Sequence, residues 1–157
     1  MPLQPGPQQP QFLPEVRHTV AVSSGKGGVG KSTLCANLAI AMGRSDKRIG
    51  LMDTDIYGPS IPGMLGATEK PQAEPDSNRI IPVVAHGIKL MSMGLLVDPG
   101  SPVIWRGPML AKMVSQFLFN VEWGELDLLL LDLPYRFHDI RVSHLPDSQD
   151  LWQFLLS

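Results

Sequence analysis

Cysteine is nearly absent: Cys35 is the only one among 157 residues. One thiol excludes an intrachain disulfide and, by itself, an all-cysteine metal site. Long apolar runs are missing too, and no stretch approaches the roughly 18 residues that a membrane span requires. The opening residues carry neither a secretory apolar core nor an arginine-rich amphipathic presequence, so a reducing cytoplasm is the expected compartment. Neither sign of charge is in excess. Thirteen basic and 15 acidic residues give a net charge of −2, which predicts neither nucleic acid nor anionic membrane as a partner. Zinc-ligand spacing is lacking as well, since His18, His86, His138 and His144 fall in no recognised pattern. What remains is 43% hydrophobic and 18% charged, the composition of one globular domain with a real core.

The informative stretch is residues 23–33, Ser-Ser-Gly-Lys-Gly-Gly-Val-Gly-Lys-Ser-Thr. Gly25, Gly30, Lys31 and Ser32 fit the phosphate-loop spacing of a glycine, four residues, then Gly-Lys-Ser/Thr. Small residues turn backbone N–H groups around a polyphosphate, and side chains at Gly25, Gly27, Gly28 or Gly30 would obstruct that approach. Lys31 supplies a point charge for the β/γ-phosphates, and the Ser32 hydroxyl is a ligand for Mg²⁺. Val16–Val22 reads as a strand entering the loop. Leu34, Cys35, Leu38, Ala39 and Met42 recur at helical spacing after it, up to Gly43. The helix N-terminus then adds its free N–H groups and positive dipole end. The predicted nucleotide-binding set is Gly25, Lys26, Gly27, Gly28, Val29, Gly30, Lys31, Ser32 and Thr33. Cys35 lies on the helix's apolar face and reads as a small buried hydrophobe.

Around this unit, residues 1–14 are rich in proline and glutamine and read as a disordered lead. Residues 15–134 read as the nucleotide-binding domain. Lys47–Asp55 is a short apolar strand ending in two carboxylates, Asp53 and Asp55, where open α/β sheets place ligand chemistry; capping of a following turn is the other reading. Ile56–Gly63 reads as a loop that nucleotide state could move, and 67–78 as an exposed connection. Arg79–Val84 and Ile88–Met93 read as strands about a turn at His86-Gly87, with Pro82 pointing to an edge position for the first. Met109–Phe119 is an amphipathic helix with Leu110, Met113, Val114, Phe117 and Leu118 on its apolar face. Leu126–Asp132 reads as a buried parallel strand that delivers Asp132 to the phosphate loop as a Mg²⁺ carboxylate. The fold class these elements predict is an α/β phosphate-loop NTPase, a mainly parallel sheet flanked by helices.

Lys26 is not part of the ordinary phosphate loop; it resembles the extra lysine of the MinD, ParA and nitrogenase iron-protein group. Ser24–Thr33, Asp-Thr-Asp-Ile-Tyr-Gly-Pro-Ser-Ile-Pro at 53–62, Val-Ile-Trp-Arg-Gly-Pro-Met at 103–109 and Trp-Gly-Glu-Leu-Asp at 123–127 together resemble the Mrp/ApbC family of ATP-binding iron–sulfur cluster carriers. That resemblance implies a homodimer in which Lys26 reaches the partner's nucleotide. It also implies Asp55 as the carboxylate that positions attacking water, and Asp53 beside a Mg²⁺ held with Ser32 and Asp132. The implied cargo is a [4Fe–4S] cluster at the subunit interface, passed on to apo iron–sulfur proteins. A MinD/ParA-like positioning ATPase and an inactive carrier fragment are the alternatives.

The resemblance fails after Pro134. Where the family continues with Pro-Gly-Thr-Gly-Asp, this chain has Tyr135-Arg136-Phe137-His138-Asp139, without the glycines that let backbone approach a γ-phosphate. The family's later strands, base-binding contacts and Cys-x-x-Cys pair have no counterpart, so no iron–sulfur ligands are visible and impaired hydrolysis is expected. Residues 135–157 read either as a natural private tail or as the product of a shifted reading frame.

Overall fold

The computed structural model describes residues 13–56, 58–98 and 107–134. The expectations for the lead up to residue 12, for Tyr57, for Trp105-Arg106 and for the tail from Tyr135 lie outside those residues. The elements run β1 (Thr19–Val22), α1 (Lys31–Gly43), β2 (Ile49–Asp53), α2 (Ile61–Leu65), β3 (Gln72–Ala73), β4 (Ile80–Ile81), β5 (Val83–Ala85), β6 (Ile88–Ser92), a 3₁₀ turn (Met93–Leu95), α3 (Gly107–Phe119) and β7 (Leu128–Asp132).

One sheet carries the domain, in the order β1-β7-β2-β6-β5. The first four strands are parallel and β5 returns antiparallel along β6. Every residue of β2 and β7 is buried. Helices over both faces are why the Leu128–Leu131 run is continuously apolar rather than alternating. Period-2 alternation then assigns sides. Leu128 and Leu130 join Ile49, Leu51, Cys35, Ala36 and Ala39 in the core beneath α1. Leu129, Leu131 and Met52 join Val114, Phe117, Trp123 and Leu126 beneath α3. By the same alternation Asp53 and Asp132 fall on the α1 side.

Three local expectations are corrected. Arg79–Val84 is not one strand: Pro82, which has no N–H for a ladder, divides it. Ile80–Ile81 pairs with β3 in a separate two-stranded sheet, and Val83–Ala85 forms the edge of the main one, joined to β6 by the two-residue turn His86-Gly87 at φ 51° and 74°. The apolar stripe of α1 is rotated from the one read off the spacing. Cys35, Ala36 and Ala39 are buried, while Leu34 is 58% and Leu38 36% exposed, because small side chains let the helix lie close on β2 and β7. The loop expected over 56–63 ends early, with Ile61 already inside α2. Ahead of β1, Leu13 packs against the core and its carbonyl accepts from Val16 N–H at 3.0 Å.

Candidate functional site

Strand register brings the site together. Val22 is paired with Asp132, Asp132 with Asp53, and Asp53 with Ser92. Four parallel strands therefore end level, and the loops leaving them converge at one edge of the sheet. Thr54 fastens β2 to β7 there, its N–H and hydroxyl both donating to the Asp132 carbonyl at 3.1 and 2.9 Å.

Between β1 and α1 the glycine-rich loop needs positive φ at two places, Gly28 at 74° and Gly30 at 90°. A Cβ at either would meet no protein atom within 4 Å, so within the chain it is backbone conformation that demands glycine there. Gly30 caps α1, its carbonyl accepts from Leu34 N–H at 2.9 Å, and no side chain caps the helix. The first N–H groups of α1 are thus left for an external anion. Over them opens a cleft of about 400 Å³, lined by Gly27 to Thr33 together with Ser24, Asp55, Gly58, Ser60 and Met64.

Of the nucleotide-binding residues read from the sequence, Gly27, Gly28, Val29, Gly30, Lys31, Ser32 and Thr33 meet in this cleft. Gly25 and Lys26 stand outside its lining, both exposed, and the Lys26 carbonyl accepts from the Ser24 hydroxyl at 2.8 Å. Asp55 lines the cleft from the opposite loop. Gly58 and Ser60 come from the stretch read as a loop that nucleotide state could move, though neither was named as a binding residue, and Met64 was not singled out by sequence. Their place depends on α2 packing beside α1, which no local pattern signals.

Asp53 and Asp132 lie behind the loop, 1% and 0% exposed. Lys31 Nζ is ion-paired with Asp132 Oδ1. Asp132 Oδ2 is buried and has no hydrogen-bond partner. Both oxygens of Asp53 are engaged: Ser92 Oγ donates to Oδ2 at 2.9 Å and Asp55 N–H to Oδ1 at 3.0 Å. Burial, the largest influence, nevertheless raises the Asp53 carboxyl to about 7, and Asp132 and Asp55 nearby push the same way. Cys35 is buried with Sγ 3.8 Å from Asp132 Oδ1. Burial first and the Asp132 charge second push its thiol up to about 12. Among the described residues no group of three or more His, Cys, Asp or Glu side chains is placed to hold a metal ion, and no helix is long and apolar enough to cross a membrane.

A mainly parallel sheet whose first strand runs through a glycine-rich loop into an uncapped helix, with carboxylates on the neighbouring strand ends, is a phosphate-loop NTPase domain. Residues 15–149 match the ParA family model described as NUBPL iron-transfer P-loop NTPase. The chain belongs to that family. It is 50% identical over 127 residues to the iron-sulfur cluster carrier protein of Synechocystis, covering 79% of this chain and 36% of that protein. It is 46% identical over 129 residues to the iron-sulfur protein required for NADH dehydrogenase, mitochondrial, of Arabidopsis thaliana, covering 82% of this chain and 41% of that one. The chain therefore spans less than half the length of these two relatives. Among solved structures it resembles the nucleotide-binding protein from Archaeoglobus fulgidus in complex with ADP. The TM-score there is 0.67 at 37% identity, covering 82% of this chain and 52% of the other.

Proposed function

We propose that this chain is the ATP-binding portion of an iron–sulfur cluster carrier. The observation that carries the reading is the cleft over the uncapped start of α1, where Gly28 and Gly30 hold the loop open and Lys31, Ser32 and Thr33 line it. The carrier names of its relatives and the ADP bound by the Archaeoglobus protein support it. They favour a carrier over a positioning ATPase.

In this reading the N–H groups from Gly27 to Thr33 cradle the phosphates and Lys31 neutralises them. The donors near the loop fit Mg²⁺: the Ser32 hydroxyl and the unpartnered buried Oδ2 of Asp132 are both hard oxygen ligands. Mg²⁺ usually keeps waters and phosphate oxygens in its shell, so a pair of protein oxygens suffices. When bound it neutralises charge on the transferring phosphate. Asp53, with both oxygens engaged, stands behind that pair and holds the turn that carries Asp55. Asp55 orients the attacking water, and the exposed Lys26 reaches the nucleotide of a second copy in a homodimer. Hydrolysis is impaired in this reading, because the sequence has Tyr135-Arg136-Phe137 in place of the glycine-bearing Pro-Gly-Thr of the family it resembles, and such glycines let backbone donors approach the γ-phosphate. The cargo, a [4Fe–4S] cluster destined for apo iron–sulfur proteins, finds no thiolate in the buried Cys35. We place the protein in the cytoplasm.

Calorimetry with Mg²⁺ and ATP on the wild-type and Lys31→Ala chains tests the reading. Loss of a charge-assisted contact of about 1.5–3 kcal/mol weakens binding at least about tenfold. Equal affinity of the two chains, or no binding by either, refutes it.

A further inference from the structure

Gly94 sits in the 3₁₀ turn after β6, and its φ lies outside the positive region that would demand glycine. Space is what excludes a side chain there. A Cβ would stand 2.8 Å from Pro59 Cβ and 2.9 Å from Pro59 Cγ, well inside ordinary carbon–carbon contact. Pro59 belongs to the stretch between β2 and α2, whose residues Asp55, Gly58 and Ser60 form one wall of the cleft. The two sides of this contact differ in freedom. Met93 is buried in the core beneath α3 and Leu95 in the core beneath α1, so the turn is held from both faces of the sheet. Gly58 and Ser60, by contrast, are exposed.

A second tie runs through Ser92, which is buried at the end of β6. Its Oγ accepts from Gly94 N–H at 3.1 Å and donates to Asp53 Oδ2 at 2.9 Å, while Asp53 Oδ1 accepts from Asp55 N–H at 3.0 Å. The wall is thus fastened to the end of β6 at both ends, through Asp53 and Ser92 beside Asp55 and through Gly94 beside Ser60. We propose that Ser92 and Gly94 are positioning residues: they form a seat, outside the cleft, that sets how far the wall stands from the glycine-rich loop. A methyl group on Gly94 must displace Pro59 by roughly 1 Å to restore ordinary contact, because a turn packed into two cores cannot retreat. The ring is bonded to the backbone, so Gly58 and Ser60 move with it. A misplacement of about 1 Å costs position-dependent contacts up to about a hundredfold. The inference rests on the nucleotide-binding reading and adds the residues that fix the shape of that site from behind.

The test is a cycle of four chains: wild type, Gly94→Ala, Pro59→Gly and the double variant, with near-UV circular dichroism to confirm the fold. Calorimetry with Mg²⁺ and ATP reads the site. Gly94→Ala is expected to weaken binding at least about tenfold in the wild-type background. In the Pro59→Gly background, where the ring it strikes is gone, the same change is expected to cost less than about threefold. A loss of equal size in both backgrounds, or none in either, overturns the seat. If Gly94→Ala does not fold, recovery of folding in the double variant supports the seat and failure to recover overturns it. A second arm needs no nucleotide. In amide NMR spectra of the ligand-free chains, Gly94→Ala should shift the Gly58 and Ser60 resonances, and should shift them far less when Pro59 is already Gly. Unmoved Gly58 and Ser60 amides overturn the proposal whatever happens to ATP. Absence of ATP binding by the wild type, with the amide response and its rescue intact, would instead remove the nucleotide reading and leave Ser92 and Gly94 as the seat of the cleft wall.

Discussion

Raising the pH should destabilise the ligand-free chain through a single carboxyl group, Asp53. It is 1% exposed, and burial, opposed by hydrogen bonds from Asp55 N–H and Ser92 Oγ, raises it from the ordinary 3.8 to about 7. The folded pKa lies above the unfolded one. The folded chain therefore holds a proton that the unfolded chain has released throughout the interval between them. The contribution of Asp53 is fully present below the unfolded value and is lost as pH rises through the folded one. Each tenfold bias in protonation corresponds to about 1.4 kcal/mol, so the whole interval amounts to about 4 kcal/mol. That is a large share of the stability of an ordinary domain. Asp53→Asn removes the ionisation and keeps the shape, because the amide oxygen still accepts from Asp55 N–H and the Ser92 hydroxyl can turn to accept from the amide nitrogen. Urea unfolding followed by tryptophan fluorescence, without nucleotide or metal, gives stability at a series of pH values. The wild type is expected to lose about 1.4 kcal/mol per pH unit inside the window, and Asp53→Asn to lose much less. Parallel pH dependences for the two chains would show that Asp53 is ionised in the fold, and would refute the reasoning.

Two further outcomes follow from packing and from the lone thiol. Gly50→Ala should destabilise by about 1–3 kcal/mol. Its Cβ would stand 2.6 Å from Leu126 Cδ1 and 2.8 Å from Leu129 Cδ1, with Trp123 Cε3 at 3.1 Å. An unchanged denaturation midpoint would show that the face of β2 toward α3 has room to spare. Cys35, buried and raised to about 12, should react with a thiol reagent only on unfolding, and the anaerobically reconstituted chain should hold no stable cluster. Stoichiometric iron and sulfide, lost in Cys35→Ser, would make that cysteine a ligand.

Spacing within single elements determined a good deal here. Gly25 to Ser32 named the phosphate loop because a backbone that wraps an anion leaves local marks: glycines where φ is positive, then a lysine and a hydroxyl at the start of a helix. Leu128 to Leu131 announced a strand buried on both faces, since only such a strand is apolar at every position. What the spacing of α1 could not tell is which arc of the helix is covered. Leu34 and Leu38 look like core residues by period, but the sheet admits the closer approach that Ala36 and Ala39 allow, so the leucines face outward. Pro82 was legible as a disruption, and only tertiary pairing decided that the residues on its two sides enter different sheets. The site was divided in the same way. The loop was written in one stretch of chain, whereas Gly58, Ser60 and Met64 reach the cleft because α2 packs against α1. The pairing of Lys31 with Asp132 joins residues a hundred positions apart and exists only because β1 and β7 are neighbours in register. Local sequence fixes backbone conformation and residue chemistry; which groups meet, and which charge a buried carboxylate has for company, depends on strand order, and that is a property of the folded whole.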